Sequence, residues 1–222
     1  MNDRSTLESR SSTLKFPEPA TMLTDFAIAG ICVVFAIGIA RAAPGLVSPR
    51  GVWALSFVFT TIAAIIGGVV HGFASNLGAA AKQRLWKATQ YTIGLTSVAM
   101  LAAAVVAFVG GVAERWLLGV AVAKFVAYAA VVGRRDDYSV VVVDYGASMI
   151  AMAALAITGW VRSGAPAAPW LIAGVAVSGV AAVVQLKKVT PHPRFNHNDL
   201  YHVIQIVALY LFYRGGLLLV DG

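Results

Sequence analysis

The chain has 222 residues, 59% hydrophobic and 12% charged, with a formal net charge of +7 and a mean hydropathy of +0.78. Soluble domains are about 45–50% apolar and about 25% charged. A soluble domain of this size cannot hide so much apolar surface in one core, and disorder, which needs low hydrophobicity, is excluded as well. What remains is an all-α, polytopic membrane protein whose first partner is the lipid bilayer.

In chain order, residues 1–20 are rich in Ser, Thr and charge, with Pro17 and Pro19, and read as a disordered cytoplasmic tail. Ala40-Arg41-Ala42 resembles a small-residue cleavage site, but the leader before it is too long and its apolar run exceeds a signal core. A membrane helix needs about 20 mainly apolar residues. Seven runs meet that demand: 23–41, 51–74, 88–110, 114–133, 139–160, 169–186 and 200–220. They fill residues 21–222 as one seven-transmembrane-helix bundle and leave no room for a second folded domain. Cys32, the single cysteine, lies in the first span and reads as a small packing residue.

The basic residues cluster in short loops, where positive charge sets topology. Eleven Lys and Arg fall on the side of the N-terminus: Arg4, Arg10, Lys15, Lys82, Arg84, Lys87, Arg134, Arg135, Lys187, Lys188 and Arg194. Five fall on the other: Arg41, Arg50, Arg115, Arg162 and Arg214. Lys124, inside a span, completes the 17. The excess places the N-terminus in the cytoplasm, in a multi-pass protein of the inner or plasma membrane, and leaves no basic stripe for a nucleic acid. Trp53, Trp86, Trp116, Trp160 and Trp170 all fall at span ends, where indoles prefer the interface. Gly68 and Gly72 form a small-xxx-small pair that permits close helix approach.

Ionisable groups inside a span are costly and point to function. Here they are Asp25, His71, Lys124, Asp144, Asp199 and His202, with the amides Gln90 and Gln205. The topology gathers His71, Asp199, His202, Asp25, Gln90 and Asp144 into the cytoplasmic half of the bilayer. In the seventh span Asn198, His202 and Gln205 follow i, i+4, i+7 spacing, and Asp199 lies one turn before His202, so one face should look into the bundle. His197 and His202 are about 140° apart on a helix, so both reach one metal only if His197 precedes the helix. Asn196 or Asn198 is the expected N-cap. Lys124 is expected to pair with Asp144, and Asp25, near the interface, reads as a helix N-terminal acid.

Two imidazoles and a carboxylate around a water form a catalytic zinc arrangement. His71 and His202 would be two ligands, with His197 or Asp199 the third, and Asp144 and Asp199 are the candidate catalytic carboxylates. The metal would activate its water and polarise a carbonyl. Seven spans, a His late in span two and a polar-xxx-His turn early in span seven resemble the membrane hydrolase superfamily of alkaline ceramidases, adiponectin-type receptors and Per1-like lipid remodelers. The resemblance implies zinc and hydrolysis of lipid amides or esters. It rests on His71 and His202; the family's Ser before the span-two His is Gly67 here, the first His of its HxxxH is Asn198, and no Asp or Glu occurs between His71 and Glu114. A retinal protein is rejected, because residues 200–222 contain no Lys. The same polar layer suits a non-catalytic small-ligand or proton-coupled transporter or sensor, or a satisfied structural belt.

Overall fold

Seven helices follow one another with short connections: α1 (Pro19–Ala42), α2 (Pro49–Phe73), α3 (Ala79–Phe108), α4 (Gly111–Arg134), α5 (Ser139–Ser163), α6 (Ala168–Lys187) and α7 (His197–Leu217). They come from a computed structural model that describes residues 16–193 and 195–220. Residues 1–15 of the expected tail, with Arg4, Arg10 and Lys15, and Arg194 lie outside the described residues. The first six helices are long and apolar enough to cross a membrane. The chain is therefore an all-α protein suited to multi-pass embedding in lipid. α7 has 21 residues and carries the polar turn from Asn198 to Gln205.

Local chemistry sets the boundaries. Pro19 opens α1 four residues before the apolar run, so Asp25 stands in the second turn and not in the first. Ser48 caps α2 by accepting from the backbone N–H of Gly51, and Pro49 follows it. α3 begins at Ala79 because Ala79-Ala80-Ala81-Lys82-Gln83-Arg84 are strong helix formers, though too polar for lipid. Gly164, at φ 66°, ends α5 in the left-handed region, where a glycine carries no side-chain penalty. α7 starts with a capping box: Asn196 accepts from the N–H groups of Asn198 and Asp199, while Asp199 accepts from the N–H of Asn196.

The helices form a ring. α1 packs on α2 and α7, α2 on α3, α3 on α5, α5 on α6 and α6 on α7, while α4 lies outside against α3. Only Ala121, Tyr128 and Val132 of α4 are buried. The main core contains Trp53, Phe57, Met152, Leu171 and Phe212. A satellite cluster of Tyr128, Val132 and Val141 joins α3, α4 and α5. Trp53 departs from the expected interfacial belt. It is fully buried, and its indole N–H donates to the carbonyl of Phe212 at 3.1 Å. Trp116 and Trp160 are exposed, at 74% and 52%. Polar contacts link the start of α1 with the end of α2, and the starts of α1 and α7, so these three helix ends share one end of the bundle.

Candidate functional site

At that end the glycines of α2 let α1 come close. A Cβ at Gly72 would overlap Met22, one at Gly68 would strike the Phe26 ring, and one at Gly67 would lie 3.3 Å from Asp25 Oδ2. The seam brings four polar side chains of α1 and its cap, Glu18, Thr21, Thr24 and Asp25, against α2 and α7. Glu18 Oε2 is 2.7 Å from His71 Nδ1. The Thr21 hydroxyl donates to Asp199 Oδ1 at 2.7 Å. Thr24 Oγ1 is 2.8 Å from His202 Nδ1, and His202 Nε2 is 3.4 Å from Asp25 Oδ1. Asp25 Oδ2 is buried without a hydrogen-bond partner.

The position of one proton follows from donor counting. A threonine hydroxyl has one hydrogen. The Thr24 hydroxyl donates it to the Thr21 carbonyl at 3.0 Å, and a carbonyl can only accept. The contact with His202 is then made by Nδ1–H donating to Thr24 Oγ1. In the neutral ring this leaves Nε2 without a hydrogen, its lone pair facing a carboxyl oxygen. That contact is attractive only with a proton in it, on Nε2 or on Asp25 Oδ1.

The sequence-derived candidates divide into two groups. His71, His202, Asp199 and Asp25 converge at the α1–α2–α7 corner. Asp144 belongs to a separate network on α3, α4 and α5. Lys124 Nζ lies 2.5 Å from Asp144 Oδ1 and donates to Ser97 Oγ at 3.1 Å, so the expected pair forms. The Ser97 hydroxyl donates to Asp144 Oδ2 at 2.8 Å and also meets Ser148 Oγ at 2.8 Å. Asp199 is 1% exposed, with both oxygens taken by Thr21 and the α7 cap. Its place is structural, as the third residue of a capping box. His197 is the first residue of α7, because Asn196 is the cap, so the condition for His197 and His202 to meet at one metal is not satisfied. The polar face of α7 also splits. Asp199 and His202 turn to α1, whereas Asn198 accepts from Gln185 at 2.8 Å and Gln205 donates to Ser178 at 3.4 Å, both on α6.

Zinc asks for three protein ligands about one point. Among the described residues no three His, Cys, Asp or Glu side chains are gathered in that way. His71 and His202 each already engage a carboxylate or hydroxyl through the seam, so the residues as placed do not form a three-ligand set. Residues 20–221 match a family described as a family of unknown function, DUF6962. The chain belongs to that family. Neither a curated protein nor a solved structure matches it.

Glu18, Thr21, Thr24 and the pairing role of Asp25 are absent from the sequence reading. Their signal is present in it: Thr21, Thr24 and Asp25 stand at i, i+3 and i+4 at the head of an apolar run. Glu18 falls within the tail of residues 1–20 because the apolar run begins only after it. Ser97 gives no signal, since isolated serines are common in membrane helices.

Proposed function

We propose that the chain is a seven-span protein of the cell membrane with a cytoplasmic N-terminus, and that Asp25 and His202 share one exchangeable proton through which it senses or carries a small polar ligand or protons. The positive-inside excess supports the orientation. The observation that carries the function is Asp25 itself, 6% exposed, with one oxygen 3.4 Å from His202 Nε2 and the other oxygen unpartnered. A buried carboxylate without partners is costly, and a carboxyl group that holds or shares a proton avoids the cost. Carboxyl and imidazole groups both take up and release protons, so a proton between them can exchange. Its loss sets a negative oxygen against a lone pair across the α1–α7 seam. Proton occupancy is thereby coupled to how tightly these two helices meet.

The test is proton movement into vesicles reconstituted with the full chain, read beside the infrared band of a protonated carboxyl group. The wild type should show the band and pH-driven flux, and Asp25→Asn should lose both, with His202→Gln also losing flux. An unchanged band in Asp25→Asn overturns the reading. Stoichiometric zinc in the wild type that disappears in both His71→Ala and His202→Ala also overturns it, in favour of a metal-dependent hydrolase of lipid amide or ester bonds.

A further inference from the structure

A second site lies farther along the α1–α7 seam, toward the opposite end of the bundle. A groove of about 570 Å³ runs between the two helices, lined by Gly30, Ile31, Val34, Ile206, Val207 and Tyr210. Its walls are open to the surface: Val34 is 64% exposed, Val207 51% and Tyr210 44%. A Cβ at Gly30 would meet nothing within 4 Å, so the glycine widens the groove instead of serving helix packing. Except for the Tyr210 hydroxyl, these six side chains offer nothing polar.

One turn beyond Tyr210, Arg214 Nη1 donates to the Tyr210 hydroxyl at 3.1 Å, and its guanidinium lies 4.6 Å from the centre of the Trp170 ring. A wall residue of the groove thus holds a cation at its mouth. Guanidinium has five donors, and the phenol takes one. Among the described residues no carboxylate pairs with Arg214, with Arg41 in the last turn of α1, or with Arg50, which donates to the Ala42 carbonyl. Arg50 also buries an Nε without a hydrogen-bond partner. Among the described residues this end of the helices carries more positive than negative charge, beside an apolar trough on helices suited to lipid.

We infer that this corner binds an anionic phospholipid, an acyl chain in the groove and the phosphate on Arg214. Phosphate matches the forked guanidinium in a bidentate manner. The trough favours a lipid over free phosphate, which would leave it unused. A second copy of the chain is a poorer match, since the described acid on the helix ends of this side is Glu114 at the start of α4.

Thermal unfolding of the full chain in detergent tests the site with phosphatidylglycerol, phosphatidylcholine or inorganic phosphate added. For the wild type, phosphatidylglycerol at about 100 times its Kd should raise Tm by roughly 5–10 °C. Phosphatidylcholine should do less, and inorganic phosphate nothing. Arg214→Gln should abolish the preference for the anionic lipid, Arg214→Lys should retain part of it, and Gly30→Leu should weaken both lipids. Equal shifts from the two lipids, a preference that survives in Arg214→Gln, an unaffected Gly30→Leu, or a full effect from inorganic phosphate would each overturn the assignment. A lipid-independent dimer that buries Arg214 would also overturn it, in favour of a second copy.

Discussion

The two buried polar networks differ in how their hydrogens are distributed. On α3, α4 and α5 the set is closed. Lys124 and Ser97 each donate to one oxygen of Asp144, and Ser97, having spent its hydrogen there, accepts from Ser148. On α1, α2 and α7 the set is open. Asp25 has one oxygen 3.4 Å from His202 Nε2 and the other without a partner. The helices that carry the networks differ in the reverse sense. α4 buries three residues and is held to the ring by its ion pair, whereas α1 and α2 already meet closely over Gly67, Gly68 and Gly72. Charge is complete where apolar packing is thin and incomplete where packing alone suffices. In physical terms the first network is a fastening, and the second leaves a buried carboxyl oxygen without a partner.

The largest expected effect sets these networks against each other. Asp144→Leu leaves the Lys124 ammonium partly buried without its counter-ion, and breaking such a pair costs about 3–5 kcal/mol. Unfolding in detergent should show that loss. The double variant Lys124→Met with Asp144→Leu should recover most of it, since an apolar pair replaces the ion pair without a stranded charge. Asp25→Asn should cost less than about 1 kcal/mol, because the new amide can donate to His202 Nε2. Equal losses at Asp144 and Asp25 would erase the distinction.

The sequence makes one of these networks more legible than the other. Lys124 and Asp144 are opposite charges within long apolar runs adjacent in the chain, and a buried charge needs a counter-charge, so each predicts the other. The helices are legible for the same reason, because lipid demands long apolar segments with satisfied backbones. That His71 and His202 lie at one end of the bundle follows from alternating helix direction alone. What they bond to does not. Glu18 and Thr24 look like tail and ordinary polar residues, and only the packing of α1 against α2 and α7 brings them to His71 and His202. Asp199 shows the opposite failure. It is an acid beside a candidate ligand, yet it closes a cap with Asn196, and Asn196-x-x-Asp199 is already a capping spacing in the sequence. Trp53 was placed by its position near a helix start, but position along a helix does not say which side of it faces the core.

Glycine substitutions sharpen the comparison at intermediate size. A Cβ at Gly94 would lie 2.3 Å from Cε1 of Tyr128, whose ring is buried and whose hydroxyl donates to the Gln90 carbonyl at 2.7 Å. That ring cannot swing aside, so Gly94→Ala should cost about 1–3 kcal/mol by overpacking. At Gly67 the nearest atom is a carboxyl oxygen at 3.3 Å, which needs to move only a few tenths of an ångström. Gly67→Ala should therefore be milder in an unfolding assay and should alter proton flux more than stability. The reverse order would mean that the α1–α2 seam is the rigid one. Asn196→Ala removes the α7 cap and should cost about 1 kcal/mol. It leaves the N–H groups of Asn198 and Asp199 without their side-chain acceptor while the backbone N–H of residue 196 still reaches Asp199, and a larger fall in flux than in stability would tie the cap to the His202 side of the corner.

The smallest effect lies outside the membrane, at the α4–α5 turn. Asp136 Oδ1 is 2.7 Å from Lys87 Nζ, and Gln83 donates to Oδ2 at 3.5 Å. The hydrogen bond from Lys87 holds the Asp136 carboxyl below the usual carboxylate range, despite some opposing desolvation. Lys87 also donates to the carbonyls of Val132 and Arg135 at the end of α4. A carboxyl whose pKa is lower folded than unfolded contributes stability above its unfolded value, near 4, and loses it as pH falls through the folded value. The Tm difference between wild type and Asp136→Asn should thus be present at neutral pH and close below about pH 4. Because Asp136 is exposed, the difference should also shrink with added salt. A difference that ignores both pH and salt would mean that Lys87 acts only through the α4 carbonyls, leaving α4 fastened by Lys124 and by backbone capping, with no help from surface charge.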